Sequence, residues 1–242
     1  MGRGDFGFDG IHSLKAVDQW IAVINSNLNA TSRIAYKGTK VKFRGGVTEI
    51  FRSPQNSLQG IQLPESTIHV DQTSIDFSQG SIINSDELSH LGIQGQGFFM
   101  LSSAVASGPQ FYSRDGEFHV NAANQLISSA GLFLVFNAAG TAVTLANVAA
   151  GNLNSNMLAN TSTPNFLKFS QYGATVFELG TATMTTMVAG ASNVLSQTLE
   201  TSNTSLSQTL PELSLAQKFF TAVTKIISVH QTNLDTVINL IR

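Results

Sequence analysis

Leu206, Leu210, Leu213, Ala216, Phe220, Val223, Ile227, Leu234, Val237 and Ile241 recur every three or four residues to the end of the chain, with His230 on the same line. That spacing predicts one long helix with a narrow apolar face. From Leu210 to Arg242 it would run about 50 Å at ~1.5 Å per residue. A helix of that length cannot bury a narrow stripe against a small domain and calls for another helix, as in a coiled coil. Thr209-Leu210-Pro211-Glu212 predicts its start: a Thr cap, Pro in the first turn and Glu three residues on. The other end of the chain supplies a partner stripe, Ile11, Leu14, Val17, Ile21, Ile24 and Leu28. Asn25, Ser26, Asn27 and Asn29 crowd its end, and such residues favour helix ends, so this helix is expected to stop near 29–32.

Between the stripes the pattern changes. Short apolar runs broken by Gly, Ser, Thr and Asn predict strands at Ser66–Asp71, Gly97–Leu101, Gly116–Val120 and Gly131–Phe136. Asp115-Gly116 and Ala139-Gly140 predict turns. The expected fold class is α+β. Paired terminal helices (1–44 plus 200–242, a discontinuous assembly domain) carry an all-β middle domain over 45–199.

Composition narrows the function. Charged residues are 12% of the 242, against roughly 25% in ordinary soluble domains, while 42% are hydrophobic. So little charge suits a surface meant for contact with other chains. With 13 Lys+Arg against 15 Asp+Glu there is no basic excess to drive nucleic-acid binding. The local cluster Arg33, Lys37, Lys40, Lys42 and Arg44 is expected to be a solvated or interfacial segment. Cysteine is absent, which removes disulfides and thiolate chemistry. The first ten residues lack an apolar core, so no cleavable signal peptide is expected. The longest strongly apolar run, Leu132–Phe136, is far below the ~20 residues of a membrane span.

A search for chemistry yields no catalytic, cofactor or metal site. His12, His69, His90, His119 and His230 are scattered without ligand spacing. Asp71, Asp76 and Asp86-Glu87 have no nucleophile–base set near them in sequence. Gly92-Ile93-Gln94-Gly95-Gln96-Gly97 leads into a strand and lacks the Lys-Ser/Thr of a phosphate loop. Its glycines are expected to make a tight turn or bulge. Arg3-Gly4-Asp5 is too short to carry an adhesion argument.

Three groups of residues nonetheless fit one family order. Ile24-Asn25-Ser26-Asn27-Leu28-Asn29-Ala30-Thr31-Ser32-Arg33-Ile34-Ala35-Tyr36-Lys37 resembles an "NIANxxTxGYK" signature, with Ala35 in place of Gly. Asp76-Phe77-Ser78-Gln79-Gly80, Ile93-Gln94-Gly95-Gln96-Gly97-Phe98-Phe99, Tyr112-Ser113-Arg114-Asp115-Gly116-Glu117-Phe118 and Gln125-Leu126-Ile127-Ser128-Ser129-Ala130-Gly131 follow "DFSQG…IxGxGFF…YTRxGxF…LVTxxG". Leu199-Glu200-Thr201-Ser202-Asn203, Ala216-Gln217-Lys218-Phe219-Phe220 and Leu234-Asp235-Thr236-Val237-Ile238-Asn239-Leu240-Ile241-Arg242 are similar to "LExSN…AQRAY…LDxLxNLxR". Together they resemble the bacterial flagellar basal-body rod and hook proteins, rod members in particular.

The resemblance implies helices paired as an inner domain, D0, and a β-rich domain, D1. It implies a subunit that polymerises helically into a hollow shaft, transmitting torque and conducting exported subunits. The implied partners are copies of itself, other axial rod and hook proteins, and the flagellar type III export apparatus. The implied location is a basal-body rod crossing the periplasm through its rings, with no nucleic acid and no membrane span. Three readings stay beside it: a hook-type or junction subunit, a surface- or carbohydrate-binding β module with helical oligomerisation ends, and a hydrolase.

Overall fold

The computed structural model describes residues 6–45, 49–50, 62–63, 67–136, 140–152, 157–187 and 192–241. The chain begins with α1 (Phe6–Asn29), then β1 (Thr39–Gly45), β2 (Glu49–Ile50), β3 (Gln62–Leu63) and β4 (Ile68–Ile75). Next come β5 (Ile82–Asn84), β6 (Leu91–Gln94), β7 (Phe98–Ser102), β8 (Phe111–Ser113), β9 (Phe118–Val120), β10 (Leu126–Ser128), β11 (Phe133–Phe136) and β12 (Thr141–Ala142). A short helix α2 (Leu145–Ala149) precedes β13 (Leu158–Asn160), β14 (Lys168–Ser170), β15 (Gly173–Glu178), β16 (Thr185–Thr186), β17 (Asn193–Ser196), β18 (Thr198–Glu200) and α3 (Leu206–Ile241). N- and C-terminal helices thus flank a β-rich middle, an α+β chain.

Two units emerge. One comprises the described residues of Met1–Leu28, Thr39–Ser74 and Leu206–Arg242; the other comprises Asn29–Gly38 and Ile75–Ser205. Within the first, α1 and α3 lie antiparallel. A Cβ on Gly10 would come within 2.6 Å of Ile227 Cγ1, while at the other end Trp20 Nε1 donates to Glu212 Oε1 at 2.9 Å. The two-stranded β1–β4 ribbon belongs to this unit. Asn27 anchors it at one end: its Nδ2 donates to Thr39 O, and Thr39 N donates to its Oδ1.

The second unit is built on a ten-stranded sheet with the central order β14-β15-β8-β7-β11-β10-β9. Strand β7 is buried along its whole length. Side chains alternate across a strand, so Phe99 and Leu101 join one core cluster while Phe98 and Met100 join another. In the first cluster Phe99 meets Phe118 edge to face at 5.3 Å. In the second, Phe77, Phe98 and Phe177 make mutual edge contacts. The two-strand pairs β17–β6 and β18–β5 complete the unit.

Three expectations are corrected. The capping box at Thr209–Glu212 does not form, because α3 already starts at Leu206 and holds Pro211 inside it. Thr209 Oγ1 instead donates to Leu206 O, and Ser205-Leu206-Ser207-Gln208 supplies an earlier Ser-x-x-Gln start pattern. The middle is not wholly β: α2 interrupts it, with Thr144 and Asn147 forming a capping box. Lys37 is not solvated, unlike the exposed Arg33, Lys40, Lys42 and Arg44; it is fully buried. Arg3-Gly4-Asp5 and Ala139 lie outside the described residues.

Truncating Phe99 removes a buried ring from the centre of the sheet and leaves a cavity. Phe99→Ala is expected to lower stability by about 3–5 kcal/mol, measured by urea unfolding of the full chain; a loss below about 1 kcal/mol would contradict this placement of the core.

Candidate functional site

The residues that carried the sequence motifs converge on a buried charge node. Glu200 at the end of β18 and Lys37 are both 0% exposed, and Arg114, just after β8, is 4% exposed. Lys37 Nζ donates to Glu200 Oε1 at 2.6 Å and to Ser78 O at 2.8 Å. Gly80 N donates to the same carboxylate oxygen at 2.8 Å. Arg114 Nη1 donates to Glu200 Oε2 at 3.2 Å, and Nη2 donates to Gly95 O at 2.8 Å. The guanidinium carbon lies 5.7 Å from the centre of the Phe98 ring. Arg114 Nε has no hydrogen-bond partner.

Backbone geometry explains why these residue types stand here. Ala35 occupies a left-handed φ of 53°, a conformation that favours Gly, at the position where the resembled signature carries Gly. That turn directs Ala35 N to Glu200 O at 2.7 Å and sets Lys37 beside the carboxylate. Gly80 has no room for a side chain, since a Cβ there would meet Thr201 O at 2.1 Å. Asn203 closes the node. Its Nδ2 donates to Asp76 O and Ser78 O, and its Oδ1 accepts from Gly38 N. Gln79 straps β6, donating to Ile93 O and accepting from Gly95 N. Gly95 and Gly97 both hold positive φ and carry the chain into β7.

Burial sets the electrostatics. Desolvation pulls the Lys37 ammonium below its usual range, opposed by the Glu200 charge. It also lowers Arg114, again opposed by Glu200. Beside the node, burial raises the Asp115 carboxyl above its ordinary 3.8, opposed by a backbone hydrogen bond from Glu117. Two buried cations share one buried anion, an arrangement that ties segments together, and Arg114 also lines a small cavity of about 140 Å³ with Phe77, Phe98 and Asn160. Among the described residues no group of His, Asp and Glu could hold a metal ion.

The motif positions divide between the two units. Tyr36, Lys37, Asp76, Phe77, Gln79, Gly80, Gly95, Gly97, Phe98, Phe99, Ser202 and Asn203 lie in the sheet unit, and the node's contacts run through many of them. Asn25 and Asn29 on α1, and Gln217, Asp235 and Asn239 on α3, are solvent-facing. The node's own Arg114 and Glu200, like Asn27 on α1, stood inside the motif strings but were not singled out. A charged residue in so uncharged a chain was the available signal. Of the two stripes, Val17, Ile24 and Val223 are buried; Leu14, Ile21, Leu28, Leu213, Phe220 and Ile227 are half-buried; and Ile11, Leu234 and Val237 are exposed. Ile241 is the last residue of α3.

Residues 92–155, which include Gly95 and Arg114, match the model of the flagellar hook protein FlgE/F/G D1 domain. Over this stretch the chain is similar to the flagellar rod and hook axial proteins. It is 28% identical over 130 residues to a flagellar hook protein FlgE of Helicobacter mustelae, covering 51% of this chain and 28% of that one. It is 42% identical over 65 residues to flagellar hook protein FlgE of Helicobacter pylori strain ATCC 700392 / 26695, covering 27% and 9%. The chain therefore spans well under a third of the length of these axial relatives. No helix among the described residues is long and apolar enough to cross a membrane.

Removing the shared anion leaves two buried cations without a counter-charge, so Glu200→Gln is expected to cost about 3–5 kcal/mol by chemical denaturation; a change under 1 kcal/mol would sink the node. Asp115 gives a pH test. Its folded pKa is raised, so its contribution to stability is complete below 3.8 and is lost as pH rises through the folded value. The fall in Tm across that acid window is expected to flatten in Asp115→Asn; an unchanged slope would refute it.

Proposed function

We propose that this chain is an axial structural subunit of a bacterial flagellum, polymerising through its two terminal helices. The observation that carries the reading is the apolar surface left on α3, where Ile226, Val229, Leu234, Val237, Ile238 and Leu240 are all exposed. Burying each such side chain is worth roughly 1.5–3 kcal/mol, so a helical array of copies gains from every contact. In this reading the helices form an inner assembly domain, read from sequence as 1–44 plus 200–242 and paired in coiled-coil fashion. The β-rich remainder forms D1. Contacts that do not close on themselves propagate as a filament.

The matched relatives are hook proteins, which favours the hook type. The rod type, a hollow drive shaft that transmits torque and conducts exported subunits, is the second reading. It draws support from the motif strings over 24–37, 76–131 and 199–242, whose order resembles the rod members. Either type implies neighbours of the same family, passage through the flagellar export apparatus, a flagellar location and no catalysis.

Phe220→Asp and Ile227→Asp place a charge on the face of α3 that meets α1. Both variants are expected to abolish polymers seen by sedimentation and negative-stain microscopy, while near-ultraviolet circular dichroism of the sheet unit persists. Filaments of normal length from either variant would contradict the helical assembly domain.

A further inference from the structure

The charge node is short of negative charge on its Arg114 side. Lys37 pairs with Glu200 and also feels the charge of Asp76. For Arg114 the one charge that offsets burial is Glu200, and that carboxylate is shared with Lys37. A guanidinium carries five N–H groups. Here Nη1 donates to Glu200 and Nη2 to Gly95 O, while the buried Nε has no acceptor. A buried donor in that state calls for a bound water or ion.

The cavity beside Arg114 meets that need. Arg114 lines it together with Gln96, Asn160, Thr161, Phe77 and Phe98, and none of the described lining residues is acidic. One water occupies about 30 Å³ of liquid, so a space of about 140 Å³ admits a polyatomic ligand. Two amides supply donors. Asn160 Oδ1 accepts from Thr161 N at 2.8 Å, which leaves the Nδ2 end of that side chain. Gln96, which is exposed, brings the second amide. Phe77 and Phe98, packed edge to face at 5.3 Å, give the cavity an apolar side.

We infer that this cavity binds a small monocarboxylate, its oxygens received by Arg114 and the amides of Asn160 and Gln96, its short alkyl end by the phenyl rings. A charge-assisted bond to a guanidinium is roughly twice as strong as a neutral one, which favours an anion over water. The volume and the apolar side suit acetate or propionate. The bound carboxylate gives the two buried cations a second anion, and because it binds only the folded chain it raises stability. The site lies wholly within the sheet unit, so it works in the unassembled chain.

Acetate titrated into the unassembled full chain is expected to move the amide resonances of Gln96, Gly97 and Thr161 along one saturable curve and to raise Tm. Acetamide, of the same size but uncharged, is expected to do neither. Asn160→Ala is expected to weaken acetate binding about tenfold, the worth of one hydrogen bond to a charged group. Asn160→Asp supplies the anion from the chain itself and is expected to abolish the acetate response, with near-ultraviolet circular dichroism unchanged in both variants. Resonances that do not move mean that water alone fills the cavity, and overturn the site. Equal responses to acetamide, or an acetate response that survives in Asn160→Asp, would overturn it as well.

Discussion

One carboxylate, Glu200, organises the sheet unit. It lies in a buried setting where an unpaired charge would cost several kcal/mol, and it is satisfied only when Lys37, Arg114 and the Gly80 amide all reach it. Those groups come from segments far apart in sequence. Lys37 belongs to the stretch that follows α1, and Glu200 to the stretch that precedes α3, while Gly80 and Arg114 come from between them. The node therefore makes folding of the first and last parts of this unit conditional on each other. Asn203 adds a second tie across the same segments through Gly38, Asp76 and Ser78. Breaking one link strands charge or backbone polar groups on several segments at once.

The helices are held by a different kind of force. Apolar contact joins α1 to α3 along one face, and the rest of α3 keeps apolar side chains in water. Low overall charge makes sense beside this division: the node holds the buried ion pairs of the sheet unit, and from Ile226 to Ile241 on α3 Asp235 is the one Asp, Glu, Lys or Arg. Ser, Thr, Asn and Gln take the remaining polar positions, and these can hydrogen-bond across an interface without the desolvation cost of an ion.

Much of this was legible in the residues. The three-and-four spacing gives both helices, and Phe98-Phe99 between glycines and turn residues marks the strand buried on both faces. The motif strings held the node's residues, because a buried ion pair, a Gly pressed against a carbonyl and an Asn bridging backbone segments each demand one residue type. What spacing could not give was their meeting place, since Lys37, Arg114 and Glu200 are joined only by tertiary folding. Lys37 read as solvated because it sits among lysines and arginines that are. The start of α3 was misplaced by a turn because Thr209-Leu210-Pro211-Glu212 mimics a helix start, while Ser205-Leu206-Ser207-Gln208 offers the same chemistry earlier.

The central claim is that the node locks the sheet unit while the outer face of α3 waits for a neighbour. Amide hydrogen exchange on the full chain, free and assembled, tests it most directly. The amides of Ala35, Gly38 and Gly80 are expected to exchange together with those of β7, as one cooperative unit, in both states. Side-chain burial on α3 is expected to show itself only on assembly, as slowed exchange from Ile226 to Leu240. Early exchange at Ala35, Gly38 and Gly80, apart from the sheet, or an α3 equally protected in the monomer, would contradict the account.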